Sequence, residues 1–109
     1  MMYTVKTPEF ELIIFEGSHS LDLLNDNVDV EVKLLDGSRY AATFFTLENI
    51  QQILHRYKKT GECRGGLYLW ASDMIVTEKL SRDIILESVV DLLKNGELSH
   101  AFSRIEGDS

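Results

Sequence analysis

Cysteine, proline and long apolar runs are almost missing from this chain of 109 residues. Its one cysteine, Cys63, excludes an internal disulfide, so a reducing, cytoplasmic location is the expectation. No stretch approaches the roughly 20 consecutive apolar residues that a membrane-spanning helix requires. Residues 1–6 have no charged start followed by an apolar stretch, and we therefore expect neither a signal peptide nor a membrane partner.

Basic residues are also scarce, because 11 Lys and Arg stand against 18 Asp and Glu and give a net charge of −7. Residues 1–38 carry two lysines against eight carboxylates, which gives −6, whereas residues 39–65 carry five basic residues against two carboxylates, which gives +3. An acidic domain repels nucleic acid and attracts basic partners at long range. Solubility alone also accounts for an acidic surface, so both interpretations stay open.

Motifs of catalysis, metal binding and nucleotide binding are missing from the sequence. Ser18-His19-Ser20 lies outside any G-x-S-x-G pattern, and the chain has no H-E-x-x-H, C-x-x-C, G-x-x-x-x-G-K or G-x-G-x-x-G. The carboxylates of residues 22–31 lack the spacing of a calcium loop. We therefore predict no catalytic residue, no cofactor and no bound metal, and a protein that is not an enzyme.

A basic stretch at positions 55–64 surrounds Cys63 in the sequence. Nearby cations favour a thiolate, but a cysteine nucleophile also needs a base and an orienting group, which no pattern here supplies. The same cations fit a nucleic-acid contact, yet Lys58 and Lys59 fall in the last turn of a predicted helix, where cations suit the helix dipole. We predict an incidental cysteine, a solvated helix end and no nucleic-acid partner.

Alternating apolar residues predict the strands. Residues 9–15 form one strand, and residues 28–35 alternate most clearly of all, before the hairpin signal Asp36-Gly37. A three-residue loop, Asp36-Gly37-Ser38, pairs Leu34 with Tyr40 and Val30 with Phe44, which buries one continuous face. Residues 67–70 and 74–77 are also strand-like, with a tight turn or a bulge between them.

Capping residues predict the helices. Thr46 begins a helix that ends at Gly61, with an apolar stripe on one side. Ser81 begins a second helix that ends at Asn95-Gly96, and Leu92 lies on its widest apolar face. Residues 98–105 have the spacing of a short terminal helix. The stripe of the first helix consists of Leu47, Ile50, Ile53, Leu54 and Tyr57.

These elements predict one α+β domain over residues 1–106 and a frayed tail over residues 107–109. The domain is expected to have an antiparallel sheet of four to five strands, with two main helices on one face and a short C-terminal helix. Hydrophobic residues make up 44% of the chain, which suffices for a folded core at this length.

Two acidic clusters are candidate contacts for a basic partner. Asp83, Glu87 and Asp91 recur at four-residue spacing, so one ridge of the second helix carries three carboxylates. Asp22, Asp26 and Asp29 form the other cluster, in and after the loop that precedes the hairpin. A solvated face accounts equally well for the ridge, and that interpretation stays open.

A resemblance to a protein family is carried by three stretches: RYAATFFTLENI at 39–50, YKKTGEC at 57–63 and LYLWASDMIV at 67–76. Together they resemble small bacterial immunity proteins of polymorphic toxin systems, including contact-dependent growth inhibition. The resemblance spans roughly residues 28–102 and contains no catalytic motif. It implies a cytoplasmic protein that binds and neutralises a cognate toxin domain.

The resemblance assigns no binding residue, so the candidates are the two acidic clusters, with Tyr68 and Trp70 as the place to look if neither cluster binds. Nuclease toxins are often basic, and an acidic inhibitor is steered towards such a target. A small ligand-binding, adaptor or enzyme-subunit domain is the alternative function. The candidate partner-binding residues are Asp83, Glu87, Asp91, Asp22, Asp26, Asp29, Tyr68 and Trp70.

Overall fold

A computed structural model describes residues 1–18 and 20–105 of the chain. His19 and the tail predicted at 107–109 lie outside the described residues. Six strands and four helices are found in the described part. In chain order they are β1 (Met2–Lys6), β2 (Phe10–Phe15), β3 (Asn27–Leu34), β4 (Arg39–Thr46), α1 (Leu47–Thr60), α2 (Glu62–Gly66), β5 (Met74–Thr77), α3 (Arg82–Lys94), α4 (Leu98–Ala101) and β6 (Ser103–Ile105).

The strands form one sheet in the order β1-β2-β3-β4-β5. The first four strands are antiparallel neighbours, which confirms the predicted α+β class with an antiparallel sheet. Two short strands share the outer edge of β4: β5 runs parallel to residues 43–46, and β6 runs antiparallel to residues 39–41. The sheet therefore has six strands instead of the four to five expected.

One face of the sheet carries the main core. Alternate residues of β2 and β3 point to this face, where Leu12, Ile14, Val30 and Val32 are fully buried. Helices α3 and α4 pack on the same side and contribute buried residues, Ile85 among them. Among the described residues, α1 contributes none to this cluster, although its own Ile53 is buried elsewhere.

The hairpin between β3 and β4 has the predicted loop length but a different register. Val30 pairs with Ala42, and Phe44 pairs with Val28, so the predicted pairing of Val30 with Phe44 was wrong by two residues. A shift of two keeps every side chain on its predicted face. Residues 35–37 form the loop, since the Leu34 backbone N–H donates to the Ser38 carbonyl across it. Gly37, with φ 90°, supplies the left-handed residue that a three-residue turn requires.

Both ends of α1 are as predicted. The Thr46 hydroxyl accepts a hydrogen bond from the Asn49 backbone N–H at 3.1 Å, and Gly61 adopts a left-handed conformation at the C-terminal end. Leu47, which the apolar stripe predicted to be packed, is exposed at the start of the helix. Burial along the stripe is deepest at Ile53.

Residues 67–70 are not a strand, which corrects the prediction. The segment pairs with no strand of the described sheet, in which β5 and β6 occupy the outer edge of β4. Its Leu67 and Trp70 are exposed. The preceding stretch was predicted to be a loop, but it forms the short turn α2 with left-handed φ angles at Cys63, Arg64 and Gly65.

The first and last described segments differ from the prediction because both join the sheet. The terminal helix is a single turn, α4, and residues 103–105 continue as β6. Strand β1, whose Tyr3 and Val5 alternate with exposed residues, was not predicted at all. On α3, the predicted burial of Leu92 is only partial, whereas Ile85 and Val89 are fully buried.

Candidate protein-binding surfaces

The acidic ridge of α3, formed by Asp83, Glu87 and Asp91, faces solvent along its whole length. Ser81 caps the helix by accepting a hydrogen bond from the Ile84 backbone N–H, as predicted. Val90, which lies between Glu87 and Asp91 along the helix, is 46% exposed. The ridge is therefore a charged surface with one apolar side chain beside it, and it lies on the helix that covers the core.

The predicted cluster of Asp22, Asp26 and Asp29 does not form a single site. Asp22 Oδ1 accepts hydrogen bonds from the backbone N–H groups of Leu24 and Asn25 at 3.1 and 3.2 Å. Asp26 Oδ2 accepts from the Asp22 backbone N–H at 2.9 Å. These two carboxylates therefore order the loop between β2 and β3. Asp29 lies apart from them, within β3 and on the sheet.

Opposite the core, much of the second face of the sheet is exposed, although Phe45 at the end of β4 is buried there. We define the open sheet face by two rows of paired residues across β2, β3 and β4. These residues are Phe15, Asp29 and Thr43 in one row, and Ile13, Glu31 and Ala41 in the next. Phe15 and Asp29 are exposed, and the other four are half-buried.

A shallow depression of about 460 Å³ lies on the open sheet face. Ala41 and Thr43 line its floor, Phe15 lies on one side, and Ser72 and Asp73 from the segment before β5 lie on the other. No described helix contributes a lining residue. Because alanine and threonine are small, the sheet is recessed here between larger neighbours.

Three carboxylates surround this depression, from Asp29, Glu31 and Asp73. Asp29 accepts a hydrogen bond from the Thr43 hydroxyl at 2.7 Å, and Asp73 accepts one from the Ser103 hydroxyl at 2.7 Å. Glu31 forms an ion pair with Arg39 at 2.9 Å. Asp29 was a candidate from the sequence, whereas Glu31 and Asp73 were not, because only the folded sheet places all three around one depression.

The apolar loop, defined as residues 67–70, is the most exposed run of large hydrophobic side chains between two elements. Leu67 is 76% exposed, Trp70 is 70% exposed and Tyr68 is also exposed. The loop leads into Ser72 and Asp73, which line the depression. The structure thus places the candidates Tyr68 and Trp70 on the surface, in the segment that approaches the open sheet face.

An ion pair that the sequence did not reveal joins the residue after β2 to the first residue of α3. Glu16, only 6% exposed, accepts two hydrogen bonds from Arg82, at 2.7 Å from Nε and 2.9 Å from Nη2. The hydrogen bonds from Arg82 hold the pKa of Glu16 below its ordinary value, and the same contact raises the pKa of Arg82. Arg82 bonds both carboxylate oxygens and balances their charge, which is the geometry of a structural ion pair.

The cysteine and a metal site were also considered from the sequence. Cys63 is a half-buried free cysteine in the left-handed turn α2. In the part of the chain that the structure describes, no three His, Cys, Asp or Glu side chains are placed to hold a metal ion together. Over the same residues, no helix has the length and apolar character needed to cross a membrane.

Comparison with known proteins finds no matching family model, no matching curated protein and no matching solved structure. The resemblance to immunity proteins therefore stays a prediction.

Proposed function

We propose that this chain is an immunity-type protein that binds and neutralises a cognate toxin domain without catalysis. The observation that carries the proposal is the apolar loop, where Leu67, Tyr68 and Trp70 are held outside the core. Exposed tryptophan and tyrosine are enriched among the residues that dominate protein–protein affinity. Leaving three large apolar side chains in water is unfavourable unless a partner covers them.

The charge distribution supports the same function. The net charge is −7, and the ridge of α3 and the carboxylates around the depression face outward. Such a surface accelerates association with a basic partner. Toxins that bind phosphate groups are often basic. An apolar anchor and electrostatic steering would then act together on such a partner.

Co-expression with the toxin domain encoded by the adjacent gene tests the proposal. Wild-type protein should protect the host from that domain and bind it in a purified titration. Trp70→Ala should weaken binding by roughly 30-fold or more, as expected for a central aromatic anchor. Leu35→Ala is the matched control, because Leu35 is 80% exposed but lies in the β3–β4 turn.

Two results would overturn different parts of the proposal. If the wild-type protein neither binds nor protects against the adjacent domain, the immunity function is wrong. If it protects, but Trp70→Ala and Leu35→Ala bind equally well, the function holds and the apolar loop is not its anchor. Unchanged melting temperatures of both variants show that any loss is specific to binding.

A further inference from the structure

The open sheet face lacks the cover that the other face has. On the core side, Leu12, Val30 and Val32 are completely removed from solvent. Their neighbours in sequence, Ile13 and Glu31, point the other way and remain partly exposed, since side chains alternate along a strand. A sheet with one solvated face is usual, but its outward residues are then predominantly polar.

Apolar side chains interrupt the polar character of this face. Phe15 is 36% exposed, and Ile13 and Ala41 occupy the adjoining row. Val76, on the β5 edge of the sheet, and Met2, on the β1 edge and paired with Phe15, are also exposed. The face thus offers apolar surface that a partner can bury, and it has a recess between Phe15 and Asp73.

The charged side chains that line the recess are all carboxylates, one of which pairs with Arg39. Asp29 and Asp73 each accept one hydroxyl hydrogen bond, and neither is in an ion pair within the described residues. A carboxylate has about four acceptor positions, so each retains capacity for a cationic donor. Glu31 already has Arg39 beside it, which leaves Asp29 and Asp73 as the two negative groups available to a ligand.

We infer that the open sheet face is the docking surface for a basic protein segment, which places an arginine or lysine side chain in the recess between Asp29 and Asp73. The alkyl stem lies over Ala41 and Thr43, and the charged head reaches the two carboxylates. A guanidinium in this position also gains a cation–π contact if it stacks on Phe15. The inference rests on the proposed function for the identity of the partner and adds the partner's chemistry and its docking face.

A second copy of this chain fits the face less well. Each copy carries −7, and two such surfaces repel each other at close range. A basic segment gains favourable electrostatics at the same place. Charge complementarity therefore selects the basic partner over self-association.

A titration with an end-capped hexa-arginine peptide tests the site directly. In ¹⁵N-labelled full-length protein at low salt, saturable shift changes should cluster at the amides of Asp29, Thr43 and Asp73. Replacing both acids, Asp29→Asn with Asp73→Asn, should raise the peptide Kd by roughly fivefold or more, as two partly exposed ion pairs imply. The amide dispersion of each variant reports whether it is folded.

The matched control removes the same number of charges elsewhere. Asp83→Asn with Glu87→Gln also takes away two carboxylates, but from the acidic ridge of α3, and should change Kd by less than roughly twofold. If the ridge variant weakens binding as much as the sheet variant, the peptide responds only to net charge and the inference is wrong. It is equally wrong if the shift changes map to α3.

Oligomeric state and toxin binding separate the remaining outcomes. Sedimentation of the protein alone should give a monomer, and a dimer whose contact protects the open sheet face would replace the basic partner by a second copy. If the adjacent toxin domain binds but shifts only α3 amides, this inference fails and the proposed function stands. If that toxin does not bind and the peptide still maps to the recess, the function fails and the basic docking face stands.

Discussion

Glu16 and Arg82 are 66 positions apart in the chain and meet in a two-point ion pair at 2.7 and 2.9 Å. The Arg82 guanidinium also lies 3.6 Å from the centre of the Tyr3 ring, which adds a cation–π contact. Three elements, β1, β2 and the start of α3, are therefore held together at one point. The carboxylate is nearly buried, so its charge depends on the arginine.

This pair predicts a specific loss of stability in acid. The hydrogen bonds from Arg82 hold the pKa of Glu16 below its ordinary value of 4.5. A depressed pKa contributes stability that is present above pH 4.5 and is lost as the pH falls through the lower, folded-state pKa. Glu16→Gln should therefore lower the melting temperature at pH 7, and the difference from wild type should shrink as the pH falls below 4.5. Glu9→Gln, at an exposed position, is the control and should follow wild type at each pH; a Glu16→Gln deficit of constant size down to acid pH would contradict this account.

Three positions of α3 differ in burial, and we expect their alanine variants to differ in stability. Ile85 is fully buried, so Ile85→Ala should cost about 2–5 kcal/mol in the free energy of unfolding. Leu92 is only partly buried, and Leu92→Ala should cost about 1–2 kcal/mol because part of its surface is already in water. Val90→Ala, on the exposed side, should stay within about 0.5 kcal/mol. Urea melts measure all three, and equal losses at Ile85 and Leu92 would be inconsistent with this packing.

Three glycines differ in what an added methyl group would meet. At Gly66 a Cβ would lie 2.3 Å from the Leu54 carbonyl oxygen, and φ is +84°. Gly66→Ala should therefore destabilise the protein by more than Gly61→Ala, where φ is +86° but the space is open and the cost is about 1–2 kcal/mol. Gly17→Ala has free space and no left-handed φ, so it should stay within about 0.5 kcal/mol. Thermal melts of the three variants check this order, which a tolerated Gly66→Ala would overturn.

The acidic ridge of α3 should influence how fast a partner arrives more than how long it stays. Replacing Asp83, Glu87 and Asp91 by their amides should slow association with a basic toxin domain at low salt and leave the dissociation rate nearly unchanged. The effect should shrink near physiological ionic strength, where the screening length is about 8 Å. Stopped-flow association at two salt concentrations measures it. Wild-type association rates in the ridge variant at low salt would assign the acidic ridge to solubility alone.

Local signals in the sequence were sufficient to predict the elements that are determined by residues close together in the chain. Alternation over residues 28–34 predicted β3, because a half-buried strand needs every second side chain to be apolar. Thr46, Gly61 and Ser81 marked helix ends correctly, because caps bond groups within one turn of the chain. The α+β class followed from the order of these elements.

Only the tertiary structure decided which segments joined the sheet and which surface remained open. Residues 67–70 have strand composition but pair with no described strand, whereas β1 and β6 became strands through distant partners. The same holds for the pairing of Val30 with Ala42, the ion pair of Glu16 with Arg82 and the recess between Asp29 and Asp73. Each of these features depends on contacts between residues that are far apart in the sequence. The free energy of such a contact depends on the other residues that surround it in the folded protein, which a local sequence pattern does not contain.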